Sequence, residues 1–416
     1  MNFIKQVLVI ENKEWTGKEE IVTERGDGFH GEFDMDELSG TLSFTLPYID
    51  KRNEEYNQDC IEIQFKSLIK KWCPIRLYAN MFETGIDNAV DLYHAGLLKQ
   101  VFVGFVNTVN LSRSKTSYTF NITCTGSLSF IANELCLPVA AQQQIFTGVK
   151  YFNFILIASG GSVYIKTSDL LNNVNRETEL VPMQWVKSSD IKEILSTLKD
   201  DFGIRAHQQG DGKVNIFDLL FYFDKGLEEG SVPAWEFKLG DTMFNLDYGD
   251  LTGDVQMVEC VAYDTVGYAI DPTAISLKGL SLTKNPSDPN LYNKVTIYRS
   301  NITSKSDAEL AAKNYLLELS KNNVVSFQTV FNPDICVADF ITVDDGELYS
   351  NQLMIIKHYT FDISKTACHM NITAYRGVLG TQPERFINSV TGITDLDMIK
   401  VRKNVEDVTG WNDFKV

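Results

Sequence analysis

The sequence lacks the features of membrane, disordered and exported proteins. No window approaches about 18 uninterrupted apolar residues, which excludes an obvious transmembrane helix. Only 10 of the 416 residues are proline and no low-complexity tract occurs, so disorder is not expected except at the C-terminal end. The first residues turn acidic after a short apolar stretch and contain no small-residue cleavage site, which is not the pattern of a secretory signal.

Cysteine and histidine are few and scattered. The seven cysteines include no C-x-x-C pair and mostly lie in apolar strand contexts, so we expect reduced thiols in a protein made in the cytosol, with neither disulfides nor a zinc ribbon. The five histidines contain no H-E-x-x-H motif. His358 and His369, with Cys368 beside them, are predicted to be cross-strand neighbours in one hairpin. A third metal ligand is not identifiable, so we interpret both as strand-face histidines.

The common catalytic motifs are also missing. The stretch GDGFHG, from Gly26 to Gly31, matches G-x-G-x-x-G, but acidic residues follow where a nucleotide-binding helix should begin. We interpret this stretch as a glycine-rich loop. No G-x-S-x-G elbow is present, and the acidic pair Asp344–Asp345 lies beside glycine in a turn. The sequence therefore predicts no catalytic, cofactor-binding or metal site, and a protein that is not an enzyme.

The charge of the chain is strongly negative. There are 38 basic and 55 acidic residues, giving a net charge of −17, while 44% of residues are hydrophobic and 22% charged. A basic nucleic-acid-binding surface is not expected from this balance. The acidity is explained either by solubility or by a surface that must let a polyanion pass without binding it.

One short pattern occurs twice. SKTSYTFNITCTG begins at Ser114 and SKTACHMNITAYRG begins at Ser364, with SKT followed by NIT at the same offset. Both continue an apolar, β-branched run and then alternate with period two, which is typical of a half-buried antiparallel strand. Each copy is therefore predicted to be a β-hairpin with a polar tip. The alternation predicts one apolar and one polar face in each copy: Tyr118, Phe120, Ile122 and Cys124 against Thr119, Asn121, Thr123 and Thr125, and Met370, Ile372 and Ala374 against His369, Asn371, Thr373 and Tyr375. The copies represent either an internal repeat of a β-domain or two unrelated hairpins with common turn residues.

The pattern of predicted strands and helices divides the chain into four segments. Short strands are predicted at 3–10, 20–24, 41–46, 60–66 and 75–82, and the spacing indicates a sandwich or barrel. A helix is predicted within 188–203 from apolar residues at i, i+3, i+4 and i+7. A second helix has a capping-box spacing at Ser306 and Glu309. Its predicted apolar stripe is Ala308, Ala311, Ala312, Tyr315, Leu316 and Leu319. We expect a mainly β (α+β) chain with a β-domain at 1–126, an α/β insert at 127–234, a second β-domain at 235–378 containing a helix at 306–322, and an arm at 379–416.

Three stretches resemble the baseplate hub family of phage tails, which includes the N-terminal part of type VI secretion spike proteins and the tail-associated hubs of long-tailed phages. They are DELSGTLSFTLPYID, LKQVFVGFVNTVNLSRSKTSYTFNITCTG and SDAELAAKNYLLELSKNNVVSFQTVFNPDICVADFITVDD. The resemblance implies two related antiparallel β-barrel tube domains per chain, the inserted α/β domain and the C-terminal arm. It also implies a homotrimer that forms a pseudo-sixfold ring, in which six barrels join a sixfold tail tube to a threefold spike around a channel for DNA.

The resemblance further implies the partners and the location. The partners are the tail tube protein, a separate spike protein with an OB-fold and needle, baseplate wedge or distal tail proteins and the tape measure protein, with no membrane. The location is the virion tail baseplate, after synthesis in the bacterial host cytoplasm. The hub of a bacteriocin or secretion particle is the alternative, followed by a carbohydrate-active β-protein. In the arm, Trp411 and Phe414 are candidate anchors, unless the arm is a partly disordered end.

Overall fold

The computed structural model describes residues 3–12, 19–24, 26–48, 71–82, 88–113, 118–134, 166–167, 192, 195–196, 199–200, 204–218, 233–248, 255, 257–270, 294–300, 302–319, 324–347, 352–364 and 368–375. The strands are β1 (Phe3–Asn12), β2 (Glu19–Thr23), β3 (Asp27–Asp34), β4 (Thr41–Tyr48), β5 (Pro74–Phe82), β6 (Lys99–Arg113), β7 (Tyr118–Gly126), β8 (Lys166–Thr167), β9 (Ile204–Gln208), β10 (Lys213–Asp218), β11 (Trp235–Lys238), β12 (Met243–Asp247), β13 (Met257–Ala262), β14 (Val266–Ile270), β15 (Lys294–Arg299), β16 (Val324–Val330), β17 (Phe340–Asp344), β18 (Gln352–Ile363) and β19 (Cys368–Tyr375). The helices are α1 (Ala89–His94), α2 (Ser127–Glu134) and α3 (Lys305–Leu319).

The strand order of the main sheet contains the same pattern twice. Its path runs β12-β16-β19-β18-β3-β4-β7-β6-β5-β1-β2, and β17 pairs with both β18 and β11. Two sets of six strands can be compared by numbering each set in chain order. In both sets the second strand lies at one end and is followed by the third, sixth, fifth, fourth and first. These sets are β3-β4-β7-β6-β5-β1 and β12-β16-β19-β18-β17-β11. We call these two sets the first and second modules. They differ in one pairing, because β1 runs antiparallel to β5 whereas β11 runs parallel to β17.

The repeated sequence pattern corresponds to a repeated register. The hairpins are β6–β7 and β18–β19, and Asn371 follows Asn121 by 250 positions. A β-bulge separates Val106 from Thr108 in the first hairpin and Ile356 from His358, again 250 positions later, in the second. Both bulges lie opposite the threonine of NIT, so the modules share local geometry as well as strand order.

The two modules are joined into one sheet by the pairing of β3 with β18, which we call the seam. His358 to Ile363 pair antiparallel with Asp34 to Phe29. Beneath the seam Phe33 stacks on Tyr359 with ring centroids 4.9 Å apart, and one apolar core contains buried side chains from both modules. Burial of this shared apolar surface makes the modules one cooperative unit rather than two separate cores.

The segment between the modules is held against both of them by two consecutive glutamines. The amide nitrogen of Gln208 donates to the carbonyl oxygen of Leu38, and its side-chain Oε1 accepts from the amide of Leu128 at 2.8 Å. Gln209 exchanges two hydrogen bonds with the backbone of Val337, at 2.9 and 3.3 Å. Both glutamines are buried, so their satisfied amides position β9 between the modules.

A smaller sheet, β14-β13-β15, carries the long helix of the second module. α3 places Ala308, Ala311, Ala312 and Leu316 against it, all fully buried, so the predicted apolar stripe is confirmed. The predicted cap at Ser306 is wrong. The helix begins at Lys305, and the Ser304 hydroxyl accepts from the Asp307 amide at 3.0 Å, because the capping oxygen must precede the first helical residue.

Most predicted elements are present where they can be assessed. β1, β2, β4 and β5 confirm the strands at 3–10, 20–24, 41–46 and 75–82, although β4 continues through Pro47 to Tyr48. The predicted strand at 60–66 and the arm at 379–416 lie outside the described residues. The helix within 188–203 is described only in part, where Leu195 is helical and buried. The mainly β fold class is confirmed, whereas the domain boundaries stay predictions.

The glycine-rich loop predicted for GDGFHG is wrong. Residues from Asp27 onward form β3, with a bulge near Gly28, which adopts a positive φ of 60°. Gly31 lies against the Phe361 ring, and a Cβ there would be 2.3 Å from a ring carbon. Glycine is therefore used here for a bulge and for close packing within a strand, not for a loop.

The remaining expectations concern thiols and membrane spans. The five described cysteines are free, and Cys73, Cys124 and Cys260 are buried, which agrees with reduced core thiols. Each helix in the described ranges is too short or too polar to span a bilayer.

Candidate functional site: the polar face of the joined sheet

The two hairpins and the strands beside them form one continuous polar surface. Directly opposed residues in an antiparallel sheet point to the same side, so the registers define which side chains share it. This polar face comprises His30, Glu32 and Asp34 on β3, Thr41, Ser43 and Thr45 on β4, Thr108, Asn110 and Ser112 on β6, Thr119, Asn121, Thr123 and Thr125 on β7, Asn245 and Asp247 on β12, Ser326 and Gln328 on β16, His358, Thr360 and Asp362 on β18, and His369, Asn371 and Thr373 on β19.

The predicted alternation of both hairpins is confirmed on this face with one exception. The apolar residues Phe120, Ile122 and Cys124 of β7 are buried, as are Met370, Ile372 and Ala374 of β19. Tyr375 was predicted to be on the polar face and by alternation it points there, but it is buried, and the Lys357 ammonium lies 5.5 Å from its ring centroid. The exposed face therefore ends at the base of β19.

Hydroxyl and amide side chains on this face bind one another across strands. The hydroxyls of Thr108 and Thr123 are 2.5 Å apart, and those of Ser326 and Thr373 are 2.9 Å apart. Asn121 donates to the Ser112 hydroxyl at 3.2 Å, in the part of the face contributed by the first module. In the second module, Asn371 donates to Thr360 at 3.3 Å and accepts from Gln328 at 3.3 Å. The two asparagines of the repeated NIT pattern thus have equivalent roles in neutral hydrogen-bond networks.

Three of the five histidines meet carboxylates where the modules join. His30 Nδ1 is 2.7 Å from one Asp362 oxygen, and His369 Nε2 is 3.4 Å from the other. His358 Nε2 is 3.2 Å from Glu32 Oε1. Within the described residues, no group of three histidine, cysteine or acidic side chains could hold a metal ion.

The prediction that His358 and His369 are cross-strand neighbours is wrong. His369 lies opposite Asp362, and His358 lies opposite Thr373. The hairpin register, including the bulge after Ile356, places the two histidines at separate points along the strands. Sequence reasoning missed His30 and Glu32 because GDGFHGEFD was read as a loop, although it alternates phenylalanine with polar residues after the bulge.

Among the residues named above for the polar face there are carboxylates but no lysine or arginine; further along the sheet, the pairings of β17 and β11 place the exposed Lys238 on the same side. The charged groups of the polar face are Glu32, Asp34, Asp247 and Asp362, and its other members are histidine, hydroxyl or amide side chains. Such a surface offers no fixed cation to a phosphate, and its carboxylates repel one.

Basic side chains near the seam are instead directed to a carboxylate at the edge of the sheet. Arg205 Nε, fully buried, is 3.1 Å from Asp36 Oδ1, and the ammonium groups of Lys199 and Lys357 are each 3.7 Å from the same carboxylate. Burial alone would raise the pKa of Asp36, but the three cations outweigh burial and lower it. This cluster ties β9 and β18 to the turn after β3.

Two further buried groups have shifted pKa values for structural reasons. Burial lowers the pKa of His207 to about 4, although Nδ1 lies 2.8 Å from the carbonyl oxygen of Glu37. Burial raises the pKa of Asp339 to about 6, although its carboxylate accepts from the Trp235 indole and the Cys336 amide. Asp339 therefore fixes the loop before β17 through its hydrogen bonds to Trp235 and Cys336.

The fold, a duplicated module in one mainly antiparallel sheet, is similar to that of solved proteins from phage tails. The structure resembles the 43 kDa tail protein of prophage MuSo2 from Shewanella oneidensis, with a TM-score of 0.58, 13% identity, and coverage of 92% of this chain and 98% of that one. It also resembles the tail protein from Neisseria meningitidis MC58, with a TM-score of 0.59, 12% identity, and coverage of 91% and 98%. The chain therefore has the fold of these tail proteins, which confirms the resemblance to phage tail proteins at the level of fold.

Comparison of sequences adds no closer relative. No protein-family model matches the chain, and no curated protein sequence matches it significantly. The similarity between this chain and the solved tail proteins therefore lies in strand order and packing.

Proposed function

We propose that this protein is a structural, non-enzymatic component of a phage tail, in which three copies form a ring of six similar modules. The observation that carries the proposal is the repeated strand order with the shared hairpin register. A chain with two equivalent modules presents six of them in a threefold assembly, so one face can match a sixfold tube and the other a threefold spike. The fold of the prophage tail proteins supports the same role.

The composition of the polar face supports its assignment as the lining of a channel. Three chains would contribute six hairpins, and the hairpin residues named for the polar face include hydroxyl and amide side chains but no lysine or arginine. DNA carries closely spaced phosphates and is retained mainly by lysine and arginine, so a face without them lets DNA pass. We assign this face to the lumen, with Glu32 and Asp362 among the luminal acids.

The proposed partners follow from the place of such a ring. They are the tail tube protein on the sixfold side, a separate spike protein on the threefold side, baseplate wedge or distal tail proteins around it, and the tape measure protein in the lumen. The proposed location is the baseplate of the virion tail. The hub of a bacteriocin or secretion particle has the same geometry and is the second candidate.

Mass in solution and particle shape test the ring. We expect the purified protein to have three times the monomer mass of 47.0 kDa by light scattering, and negative-stain images to show rings with six lobes and a central channel. A protein that stays monomeric at high concentration in the presence of its tube and spike partners would overturn the proposal.

A gain-of-binding experiment tests the channel lining. Asn121→Lys with Asn371→Lys adds two exposed cations per chain at equivalent points of the polar face. We expect this variant to retain DNA in a salt-dependent manner, while the unmodified protein does not. Tyr263→Lys with Tyr298→Lys is the matched control, because both tyrosines are exposed and neither is a member of the polar face. Equal DNA binding by both double variants would contradict the assignment.

A further inference from the structure

A cavity lies beneath the joined sheet, where both modules meet the turn between β9 and β10. Its volume is about 370 Å³, within the range of about 300–1,000 Å³ that ligand pockets occupy. The walls come from the start of β6, from that turn, from the loop that follows β16, and from β18 and β19. Phe361 and Met370 alternate with Asp362 and His369 of the polar face, so the cavity lies on the opposite side of the sheet.

Four apolar side chains form the floor of this cavity, and they are themselves almost fully buried: Phe331, Ile335, Phe361 and Met370. The rings of Phe331 and Phe361 meet edge to face, with centroids 5.7 Å apart. The Asn332 amide donates to the Met370 sulfur at 3.3 Å, which fixes the thioether at the cavity wall. An aromatic guest gains from such a floor, because ring–ring and sulfur–ring contacts add to the burial of apolar area.

The charged groups around the cavity are balanced in number and paired with one another. The Lys99 ammonium contacts the Asp334 carboxylate, and the Lys213 ammonium lies 3.1 Å from the Asp211 carboxylate. A charged guest would meet a like charge or would displace one of these groups from its partner, whereas a neutral guest would do neither. The rim of the cavity therefore favours an uncharged guest.

Cys336 contributes a further uncharged part of the wall. Burial raises the pKa of its thiol, and the nearby carboxylates of Asp339 and Asp211 raise it further, so the thiol stays protonated near neutral pH. A protonated thiol behaves as a small apolar group. The side chain is only partly buried, so a larger residue at this position can extend into the cavity.

We propose that this cavity receives one neutral aromatic side chain from a protein that packs around the ring. The inference rests on the proposed function and names a docking site outside the channel, because the cavity lies opposite the face assigned to the lumen. Aromatic side chains that fill such pockets are the usual anchors of protein interfaces. Because the walls come from both modules and from the segment between them, the anchor would hold all three together and stabilise the folded chain.

Capped amino acids test the chemistry of the guest. N-acetyl-tryptophanamide is neutral and aromatic, N-acetyl-tryptophan carries one negative charge, and N-acetyl-alaninamide lacks the ring. Saturation-transfer NMR on the full chain is expected to show binding of the first, at least threefold weaker binding of the second, and none of the third. Equal binding of all three, or tightest binding of the anion, would overturn the inference.

Two variants locate the probe in this cavity. Cys336→Trp fills the space and should weaken binding of the neutral probe at least tenfold, whereas Cys368→Trp is the matched control and should leave it within twofold. Cys368 is also a partly buried free cysteine, but it lies outside the cavity lining. Asp334→Asn needs no packing of a larger side chain. It removes the carboxylate partner of Lys99, so it should leave the neutral probe unaffected and tighten binding of the anionic probe at least threefold.

Assembly separates this inference from the proposed function. Cys336→Trp should still form rings but should be recovered in complete tails at least tenfold less often than Cys368→Trp, and equal recovery would contradict the docking site. A protein that forms rings but does not bind the neutral probe, or binds it equally in both cysteine variants, would overturn this inference and leave the proposed function standing. A protein that binds the probe but never forms rings would overturn the proposed function and with it the assignment of the partner.

Discussion

The two modules have equivalent buried apolar positions but differ in the polar side chains that they expose. Ile122 and Ile372 lie at equivalent points of the core, each opposite a phenylalanine of the neighbouring strand, Phe44 and Phe327. On the exposed side, the first hairpin presents only hydroxyl and amide groups, whereas the second adds histidines and Asp362. Burial fixes the apolar positions because a packed core tolerates little change of volume, and the exposed face is free to diverge.

The largest expected effect tests whether equivalent core residues of the two modules contribute equally to the free energy of unfolding. Ile122→Ala and Ile372→Ala each remove a fully buried side chain, and each should lower the free energy of unfolding by about 2–5 kcal/mol. We expect the two losses to agree within about 1 kcal/mol, measured by urea unfolding. Asn121→Ala and Asn371→Ala are the exposed controls. A large loss in one module and a small loss in the other would contradict their structural equivalence.

The next effect compares two buried groups whose pKa values are shifted in opposite directions. The folded pKa of His207 is about 4 and its ordinary value is 6.5, so its stabilising contribution is present above pH 6.5 and is lost as the pH falls toward 4. The folded pKa of Asp339 is about 6 and its ordinary value is 3.8, so its contribution is present below pH 3.8 and is lost as the pH rises to 6. Each amounts to about 3 kcal/mol.

These two slopes oppose each other between pH 4 and 6, and variants separate them. Relative to the unmodified protein, His207→Gln should lose stability as the pH rises through this window, and Asp339→Asn should gain it. Unfolding free energies measured at intervals of half a pH unit check both differences. Parallel curves for either variant and the unmodified protein would show that the residue does not titrate differently in the two states.

A smaller effect tests the packing of the two modules at the seam. Gly31→Ala places a Cβ against the Phe361 ring and should lower the free energy of unfolding by about 1–3 kcal/mol. Phe361→Leu in the same chain should recover part of that loss, because the smaller side chain leaves room for the methyl group. A double-mutant cycle from urea unfolding measures the recovery. Additive losses would mean that the two residues do not share the seam contact.

The sequence was sufficient for the local parts of this structure. Period-two alternation predicted the faces of β7 and β19, and the repeat of SKT and NIT predicted two alike hairpins. The reading failed where glycine had a packing role, as in β3, because composition alone does not distinguish a bulged strand from a loop. It also failed at the α3 cap, where Ser304 and Ser306 both precede an acidic residue at a suitable spacing.

The seam could not have been predicted from local patterns. His30 and Asp362 are separated by 332 residues, and only the packing of both modules brings them together. The signal that could have suggested it was the unequal partner side chains of the repeat, because Phe361 is aromatic where the first hairpin has Leu111. The polar face followed from alternation in single strands, but its extent across both modules needed the register of β3 with β18.

The smallest expected effect concerns the exposed histidine–carboxylate contacts of the seam. His30 is 46% and Asp362 39% exposed, so solvent screens their attraction, and Asp362→Asn should lower the free energy of unfolding by less than about 1 kcal/mol. The difference should shrink further in 1 M salt, because screening reduces the interaction of exposed charges. Urea unfolding at two salt concentrations measures it. The apolar contacts beneath, with Phe361 against Gly31 and Phe33 against Tyr359, are then what holds the modules together. A loss above 2 kcal/mol that persists in salt would instead mean that the charged groups of the polar face, rather than the apolar contacts beneath it, join the two modules.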